Sequence, residues 1–255
     1  MEGGVAKVFV INLERRPDRL HTHLASFKWK APVARVDAVD NREDPELGCF
    51  HSHVRAWCAA ACDKSLGPGD PWVVVAEDDA VPSAAVASCG PEEALRHIAS
   101  DLDKKKIDWI QLYVPEGCAA GVRALRYRAP AFSALCVMAR VSALRALARC
   151  ALADLRSAGD RFFLPLDAWL IWCFCRRRPR IRWASCPLQI VKPGSPSDIE
   201  YRRRTWWRPA GSFYEDYCAA ILHHLLDPPS ALPVFHRLMI AFSTRSSAGI
   251  SSSFA

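Results

Sequence analysis

The sequence predicts an α/β fold with a mostly parallel sheet flanked by helices. Short apolar runs typical of buried strands alternate along the chain with longer segments whose apolar residues recur at helical spacing. The most apolar run, residues 72–76, is β-branched at its centre and ends abruptly in charged residues. Such a run is typical of a central strand that is covered on both faces of a parallel sheet.

Strands and helices are predicted in regular order along the first two hundred or so residues. The predicted strands are residues 7–13, 34–39, 72–76, 107–114 and 132–138. One helix follows the cationic loop at residues 14–20, and others are predicted at residues 48–64, from Pro91, after a capping Ser142, and at residues 168–175.

The composition is that of a globular protein with material for one large domain. The chain has 255 residues, a net charge of +7, and arginine clusters at residues 176–180 and 202–204. Such clusters could bind nucleic acid, but a nucleotide diphosphate or an acidic substrate fits them as well, and we do not expect nucleic acid as the partner. The 11 cysteines are odd in number and scattered, so we expect free thiols and a reducing compartment.

Both ends of the chain carry further predictions. No apolar run reaches membrane-spanning length, and residues 1–4 lack the start of a signal peptide, so we expect a cytoplasmic protein. Residues 209–242 are predicted to form a helical tail after a domain at residues 1–208. The amphipathic part of that tail would dock on the domain or on a second subunit, with peripheral membrane association as a lesser alternative. Residues 243–255 are Ser-rich and predicted to be disordered.

Three consecutive acids, Glu77, Asp78 and Asp79, follow the strand at residues 72–76. In an open α/β sheet the carboxyl end of a strand is where ligands bind. Three adjacent carboxylates repel one another and resist burial, and a divalent cation would relieve both costs. Oxygen ligands suit Mg²⁺ or Mn²⁺, which in turn bind phosphates. The alternative is a solvated acidic turn.

Several short motifs occur in one order along residues 7–203. They are Val10-Ile11-Asn12-Leu13 with residues 15–19 (RRPDR), residues 37–40 (DAVD), residues 48–53 (GCFHSH) with Trp57, the acidic triplet at 77–79, Asp108-Trp109, Pro165-Leu166-Asp167, and Ser197-Asp198-Ile199. Together they resemble glycosyltransferase family 25, the lipopolysaccharide and procollagen galactosyltransferases. The resemblance implies a GT-A fold and inverting transfer of a hexose, galactose or glucose, from a UDP-sugar to a glycan or protein hydroxyl, with Mn²⁺ or Mg²⁺ as the cofactor.

The chain departs from the family pattern in a few places. Ile110 stands where the family has a second aspartate, Pro115 replaces a glycine, Leu135 replaces a tyrosine, and a glycine expected near Val141 is missing. These departures leave the acidic triplet intact and concern the choice of acceptor. They also keep open an alternative function, that of a non-catalytic family member acting as a binding or adhesion module.

The predicted donor-binding residues come from two segments. Asn12, Arg15, Arg16 and Arg19 lie at or just after the first strand, and guanidinium groups suit phosphates and bases. The alternative for each arginine is a solvated basic loop. Ser52 and His53 are adjacent on a predicted helix and point in different directions, so we predict a capping serine and a histidine near the donor rather than a nucleophile–base relay.

Two aspartates outside the triplet are predicted to take part in the chemistry. Asp198 could complete the metal shell from the other side of the cleft, or it could cap a turn or helix. Asp167 matches the aspartate of the family's Pro-Val-Asp-like motif, so the resemblance favours it as the general base. It also precedes an apolar helix, and the alternative is a plain N-cap.

Overall fold

The computed structural model describes residues 4–86, 89–113, 133–158, 166–175, 179–186 and 190–194. Within these ranges the protein has a mixed α/β fold, with a mostly parallel central sheet flanked by helices, which confirms the predicted fold class. The strands are β1 (Val5–Asn12), β2 (Val33–Asp37), β3 (Trp72–Glu77), β4 (Ala80–Pro82), β5 (Trp109–Gln111), β6 (Cys136–Arg140), β7 (Trp183–Ser185) and β8 (Val191–Pro193). The helices are α1 (Pro17–Phe27), α2 (Pro45–Cys62), α3 (Pro91–Lys105), α4 (Val141–Ala158) and α5 (Leu166–Cys175).

The central sheet has the strand order β2-β1-β3-β6-β5-β7. β1 is parallel to β2 and β3, and β5 is parallel to β7, whereas β6 runs antiparallel to both of its neighbours. A second, two-stranded sheet pairs β4 with β8 in antiparallel fashion, directly after the acidic triplet. The small sheet therefore lies where the chain leaves the carboxyl end of β3.

Both faces of the central sheet are covered, which explains why β1 and β3 are continuous apolar runs. On one face Phe9 and Ile11 pack with Phe50 and Trp57 of α2, together with residues of α4 and α5. On the other face Val8, Val10 and Val74 pack with residues of α1 and α3 such as Phe27, Leu95 and Leu102. Successive side chains of a strand point to opposite faces, so one apolar strand supplies both cores.

The predicted element boundaries agree best where local sequence signals are strong. The second helix begins three residues earlier than predicted, because Pro45 starts it and the Asp44 carboxylate accepts a hydrogen bond of 2.9 Å from Leu47 N. β5 is shorter than predicted, and β6 lies nearer the C-terminus than predicted. The short strands β4, β7 and β8 were not predicted, since three residues give little periodic signal.

The cap predicted at Ser142 is wrong. α4 begins at Val141, and the Asp70 carboxylate accepts a hydrogen bond of 2.7 Å from Ser142 N and another from the Ser142 hydroxyl. The first turn of α4 is thus capped by an aspartate that is 72 positions away in the chain. A non-local cap of this kind has no signature in the local sequence.

The predicted helical tail at residues 209–242, the disorder at 243–255 and the domain boundary at 208 lie outside the described residues. In the part of the chain that the structure describes, every helix is too short or too polar to cross a lipid bilayer.

Candidate functional site

The candidate site lies at the carboxyl ends of β1 and β3. From β1 the chain passes through α1 to β2 on one side, and from β2 it passes through α2 to β3 on the other side of β1. Open α/β sheets bind ligands at such a change of direction. A cavity of about 130 Å³ opens here. Its charged lining consists of Arg15, Arg19, Arg42, Asp40, Glu77, Asp78 and Asp79.

Two of the three consecutive acids are buried at this edge. Asp78 and Asp79 are 7% and 5% exposed. Asp78 Oδ2 accepts a hydrogen bond of 2.7 Å from Asn12 Nδ2, and Arg19 Nη1 lies 3.7 Å from Asp78 Oδ1 and 4.0 Å from Asp79 Oδ2. The other carboxylate oxygen of Asp79, Oδ1, is buried without a hydrogen-bond partner among the described residues.

Burial dominates the electrostatics of these two carboxyl groups. It raises the pKa of Asp79 to about 8, with the negative charge of Glu77 adding to the effect and the Arg19 guanidinium opposing it. Burial also raises the pKa of Asp78, while the Asn12 hydrogen bond and the charge of Arg19 work in the other direction. An incoming cation would reverse this balance, because it favours the ionised carboxylate. Two acidic side chains with an unused buried oxygen therefore fit a hard divalent cation.

The backbone that carries Asp79 is clamped from two sides. Gly194, just after β8, donates from its N–H to the carbonyl of Asp79 at 2.6 Å. A Cβ at this glycine would lie 2.5 Å from Val81 Cγ1 and 3.1 Å from the Asp79 carbonyl oxygen, so a larger residue would have to displace the Val81 side chain. On the other side the His23 ring is within 2.9 Å of the carbonyl of Ala80 through Nδ1. Burial lowers the pKa of His23 to about 4, so the ring is neutral and its Nδ1–H donates to that carbonyl.

The loop between β2 and α2 forms one wall of the cavity. The Ser52 hydroxyl accepts a hydrogen bond of 2.8 Å from Val39 N and donates one of 2.7 Å to the carbonyl of Gly48. A Cβ at Gly48 would lie 2.8 Å from the carbonyl oxygen of Val39, which is close enough to displace the loop. Because the Ser52 hydroxyl is committed to Gly48, it forms no relay with His53.

Cys49, His53 and Glu77 meet at the floor of the cavity. His53 Nε2 lies 3.1 Å from Glu77 Oε1, and Cys49 Sγ lies 3.9 Å from the same oxygen. His53 is 1% exposed, and its Nδ1 has no hydrogen-bond partner among the described residues. Burial raises the pKa of the Cys49 thiol, and the charges of Glu77 and Asp167 raise it further. Sequence reasoning missed Cys49, although its spacing of four from His53 on a predicted helix was a usable signal.

Only some of the predicted donor-binding residues line the cavity. Arg15, Arg19, Ser52 and His53 line the cavity. Arg15 Nε is 3.0 Å from Asp40 Oδ2 at the rim. Asn12 and Arg16 are not part of the lining. Asn12 instead donates to the carbonyl of Arg16 at 2.8 Å as well as to Asp78, and so it ties the loop after β1 to the acidic triplet. The Arg16 side chain pairs with Asp18, with Nη2 2.9 Å from Oδ2.

Asp167 lies in the first turn of α5, half-buried. The helix already includes Leu166, so Asp167 is a first-turn residue rather than the N-cap. Its negative charge helps to raise the pKa of the Cys49 thiol, which lines the cavity, although Asp167 itself is not among the lining residues. Asp198, the fourth predicted metal ligand, lies outside the described residues.

Comparisons with known proteins add no relative: no protein-family model matches the chain, and no curated protein is significantly similar to it. The resemblance to glycosyltransferase family 25 therefore rests on the motifs alone.

Proposed function

We propose that the protein is a metal-dependent inverting glycosyltransferase with a GT-A-like fold, which moves galactose or glucose from a UDP-sugar to an acceptor hydroxyl. The proposal rests on the lining of the cavity at the carboxyl ends of β1 and β3, which combines acidic and basic side chains. Buried carboxylates and arginine side chains line the same small space. A bound cation with a diphosphate would satisfy both kinds of group at once.

Asp78 and Asp79 are the residues that would hold the cation. Their oxygens suit Mn²⁺ or Mg²⁺, and the buried Asp79 Oδ1 leaves an acceptor for it. When bound, such an ion stabilises the negative charge on a departing diphosphate. Asn12 fixes the orientation of the Asp78 carboxylate through its hydrogen bond, so the chain holds one ligand in place before any ion arrives.

The size of the cavity limits which part of the donor it could take. Pockets for drug-sized ligands usually measure roughly 300–1,000 Å³. The cavity here measures about 130 Å³. It would therefore enclose only part of a nucleotide sugar, and its charged lining favours the diphosphate. Arg15 at the rim and Arg19 beside Asp78 and Asp79 are the guanidinium groups that would face it.

Asp167 is the proposed general base. In an inverting displacement, a base takes the proton of the acceptor hydroxyl as that oxygen attacks the sugar. Asp167 matches the family motif in sequence, and its charge reaches the cavity at Cys49.

The direct test is a screen of UDP-sugars for hydrolysis, which needs no acceptor. We expect release of UDP from UDP-galactose or UDP-glucose in Mn²⁺ and none after chelation with EDTA. Arg19→Gln should lower the apparent affinity for the donor, because that guanidinium lies at the acidic triplet. Arg35→Gln is the matched control, since this exposed arginine on β2 pairs with Asp37.

Two results would contradict the proposal in different ways. Metal-dependent UDP binding without turnover of any UDP-sugar would support the non-catalytic binding module instead. Failure to bind UDP in Mn²⁺, with the fold intact by circular dichroism, would remove the nucleotide site altogether.

A further inference from the structure

The strongest unexplained feature is the cluster of Cys49, His53 and Glu77. Among the described residues, this is the only group of three or more histidine, cysteine or acidic side chains whose ligand atoms all lie within 4.8 Å of one another. We propose that these three side chains form a binding site for Zn²⁺, separate from the oxygen-ligand site at Asp78 and Asp79.

The chemistry of the three ligands argues for zinc rather than for Mn²⁺ or Mg²⁺. Thiolate and imidazole select borderline or soft ions, whereas Mg²⁺ and Mn²⁺ prefer oxygen ligands. Zinc sites in enzymes commonly have three protein ligands drawn from Cys, His and carboxylate, with a fourth position open to water. Here the fourth position would face the cavity, because all three side chains belong to its lining.

The scaffold presents the three ligands from rigid elements. Cys49 and His53 are four residues apart on α2, so they project from one face of the helix, and Glu77 ends the buried strand β3. His53 Nε2 and Cys49 Sγ lie 3.1 Å and 3.9 Å from Glu77 Oε1. Ligands around one zinc ion at bond lengths of about 2.0–2.3 Å are separated by similar distances. Only small side-chain movements would therefore close the site.

One contact typical of zinc histidines is absent. Such a ring usually donates its second N–H to a carboxylate or carbonyl, whereas His53 Nδ1 has no partner among the described residues. We therefore expect exchangeable zinc that a chelator removes, rather than a structural ion on which folding depends.

Cobalt substitution provides the test. The full chain, stripped of metal with a chelator, is titrated with Co²⁺, which reports tetrahedral coordination by visible absorption and thiolate ligation by a near-ultraviolet charge-transfer band. We expect one tetrahedral, thiolate-ligated Co²⁺ ion per chain, displaced by Zn²⁺. Cys49→Ser should abolish the charge-transfer band and weaken Zn²⁺ binding at least about tenfold, the lower end of the effect of disturbing a metal site's surroundings.

The same helix supplies a matched control. Cys58 and Cys62 also lie four residues apart on α2, and both are free thiols. A double change, Cys58→Ser with Cys62→Ser, should leave the band and the Zn²⁺ affinity unchanged. Loss of the band in this control, or its persistence in Cys49→Ser, would overturn the proposal.

A measurement on the unaltered chain covers the case in which Cys49→Ser does not fold. Zn²⁺ should slow the alkylation of Cys49 by iodoacetamide, followed by peptide mass spectrometry, while the exposed Cys62 reacts at an unchanged rate. Equal labelling of Cys49 with and without Zn²⁺ would refute the site. None of these readouts depends on glycosyltransferase activity, so failure of the proposed function would leave them intact.

Discussion

The amino edge and the carboxyl edge of the β1–β3 pair are the ends at which these strands begin and finish. Aspartates at the two edges have pKa values shifted in opposite directions. At the amino edge Asp63 accepts an ion-paired hydrogen bond from Lys7, with Nζ 2.7 Å from Oδ2, and others from Ser65 N and the Ser65 hydroxyl. The hydrogen bond from Lys7 is the largest cause that lowers the pKa of Asp63 to about 2. At the carboxyl edge burial raises the pKa of Asp78, and that of Asp79 to about 8.

Other carboxylates at the amino edge also have hydrogen-bond partners. Asp70 caps the first turn of α4, and Asp103 accepts hydrogen bonds from Trp72 Nε1 at 3.0 Å and from Arg140. Charges with such partners stabilise the ionised form and the fold together. A buried carboxylate with an unused oxygen disfavours its ionised form and destabilises the fold until a ligand binds. The contrast supports the proposal that the carboxyl edge is the binding edge of the sheet.

The largest effect is expected from Asp79→Asn. Metal-dependent UDP binding and turnover should disappear, because one of the two proposed ligands loses its charge. Without metal the variant should be more stable than the parent at pH 7 by about 1–3 kcal/mol, because folding forces the parent to keep a proton on buried Asp79, whereas asparagine is neutral in both states. Isothermal titration with UDP in Mn²⁺ and urea unfolding in EDTA measure the two changes.

The pH dependence sharpens that prediction. The unfolded chain loses the Asp79 proton near the ordinary value of 3.8, whereas the fold keeps it up to about 8. In the metal-free parent this group therefore opposes folding increasingly as pH rises from 3.8 to 8, and Asp79→Asn should remove that slope. Unchanged UDP affinity, or a large loss of stability in EDTA, would place Asp79 with the structural aspartates of the amino edge.

The next largest effect is expected from Asp167→Asn. If Asp167 is the base, transfer should fall at least about a hundredfold while UDP-sugar binding and stability stay near those of the parent. Asparagine keeps the shape of the side chain but cannot accept the proton. Steady-state kinetics with an identified acceptor, alongside urea unfolding, separate the two roles. Transfer near the parent rate would show that Asp167 only stabilises the first turn of α5.

A third effect concerns His23, which supports the acidic triplet through the carbonyl of Ala80. The unfolded chain takes up a proton at the ordinary histidine value of 6.5, whereas the folded ring resists it down to about 4. The contribution of His23 to stability is therefore complete above pH 6.5 and declines as pH falls. Between pH 6.5 and 5 the free energy of unfolding should fall by about 2 kcal/mol through the protonation of this group in the unfolded chain.

Urea unfolding of the parent and of His23→Gln across this range tests the assignment. The glutamine variant should be less stable at pH 7 because it loses the ring contacts with Phe27 and Trp29. It should also lose the steeper decline of stability towards pH 5. Parallel pH profiles for the two proteins would mean that the His23 ring takes up its proton as readily in the folded chain as in the unfolded chain.

Local patterns in the sequence were enough for the first half of the fold. A short, β-branched apolar run that ends in acids is typical of a buried strand, so β3 and the position of the triplet Glu77 to Asp79 at its end were predictable. The helix at α2 had proline and a capping aspartate at its start, and sequence reasoning missed these by three residues. The ends of β5 and β6 were predicted wrongly because pairing with neighbouring strands, rather than their own composition, sets them.

The chemistry of the site depended on contacts that no local pattern encodes. The pairing of Glu77 with His53 spans 24 positions, and that of Asn12 with Asp78 spans 66. The raised pKa of Asp79 follows from how completely the fold buries it. Sequence could therefore name the acids, but not which of them would lie with Arg19 and which with a cysteine and a histidine.

The smallest effect is expected at the amino edge, from Lys7→Met. The Lys7 and Asp63 side chains are 18% and 16% exposed, so their ion pair is partly screened by water and should contribute no more than about 1 kcal/mol. Because the folded pKa of Asp63 is depressed to about 2, this contribution is present above pH 3.8 and is lost as pH falls towards 2. Lys64→Met, at an exposed lysine of the adjacent turn, is the control. Urea unfolding at pH 7 should show the small loss for Lys7→Met alone, with UDP binding unchanged in both variants. A change in UDP affinity in Lys7→Met would mean that the two edges of the sheet are coupled, and the contrast between a structural edge and a binding edge would then fail.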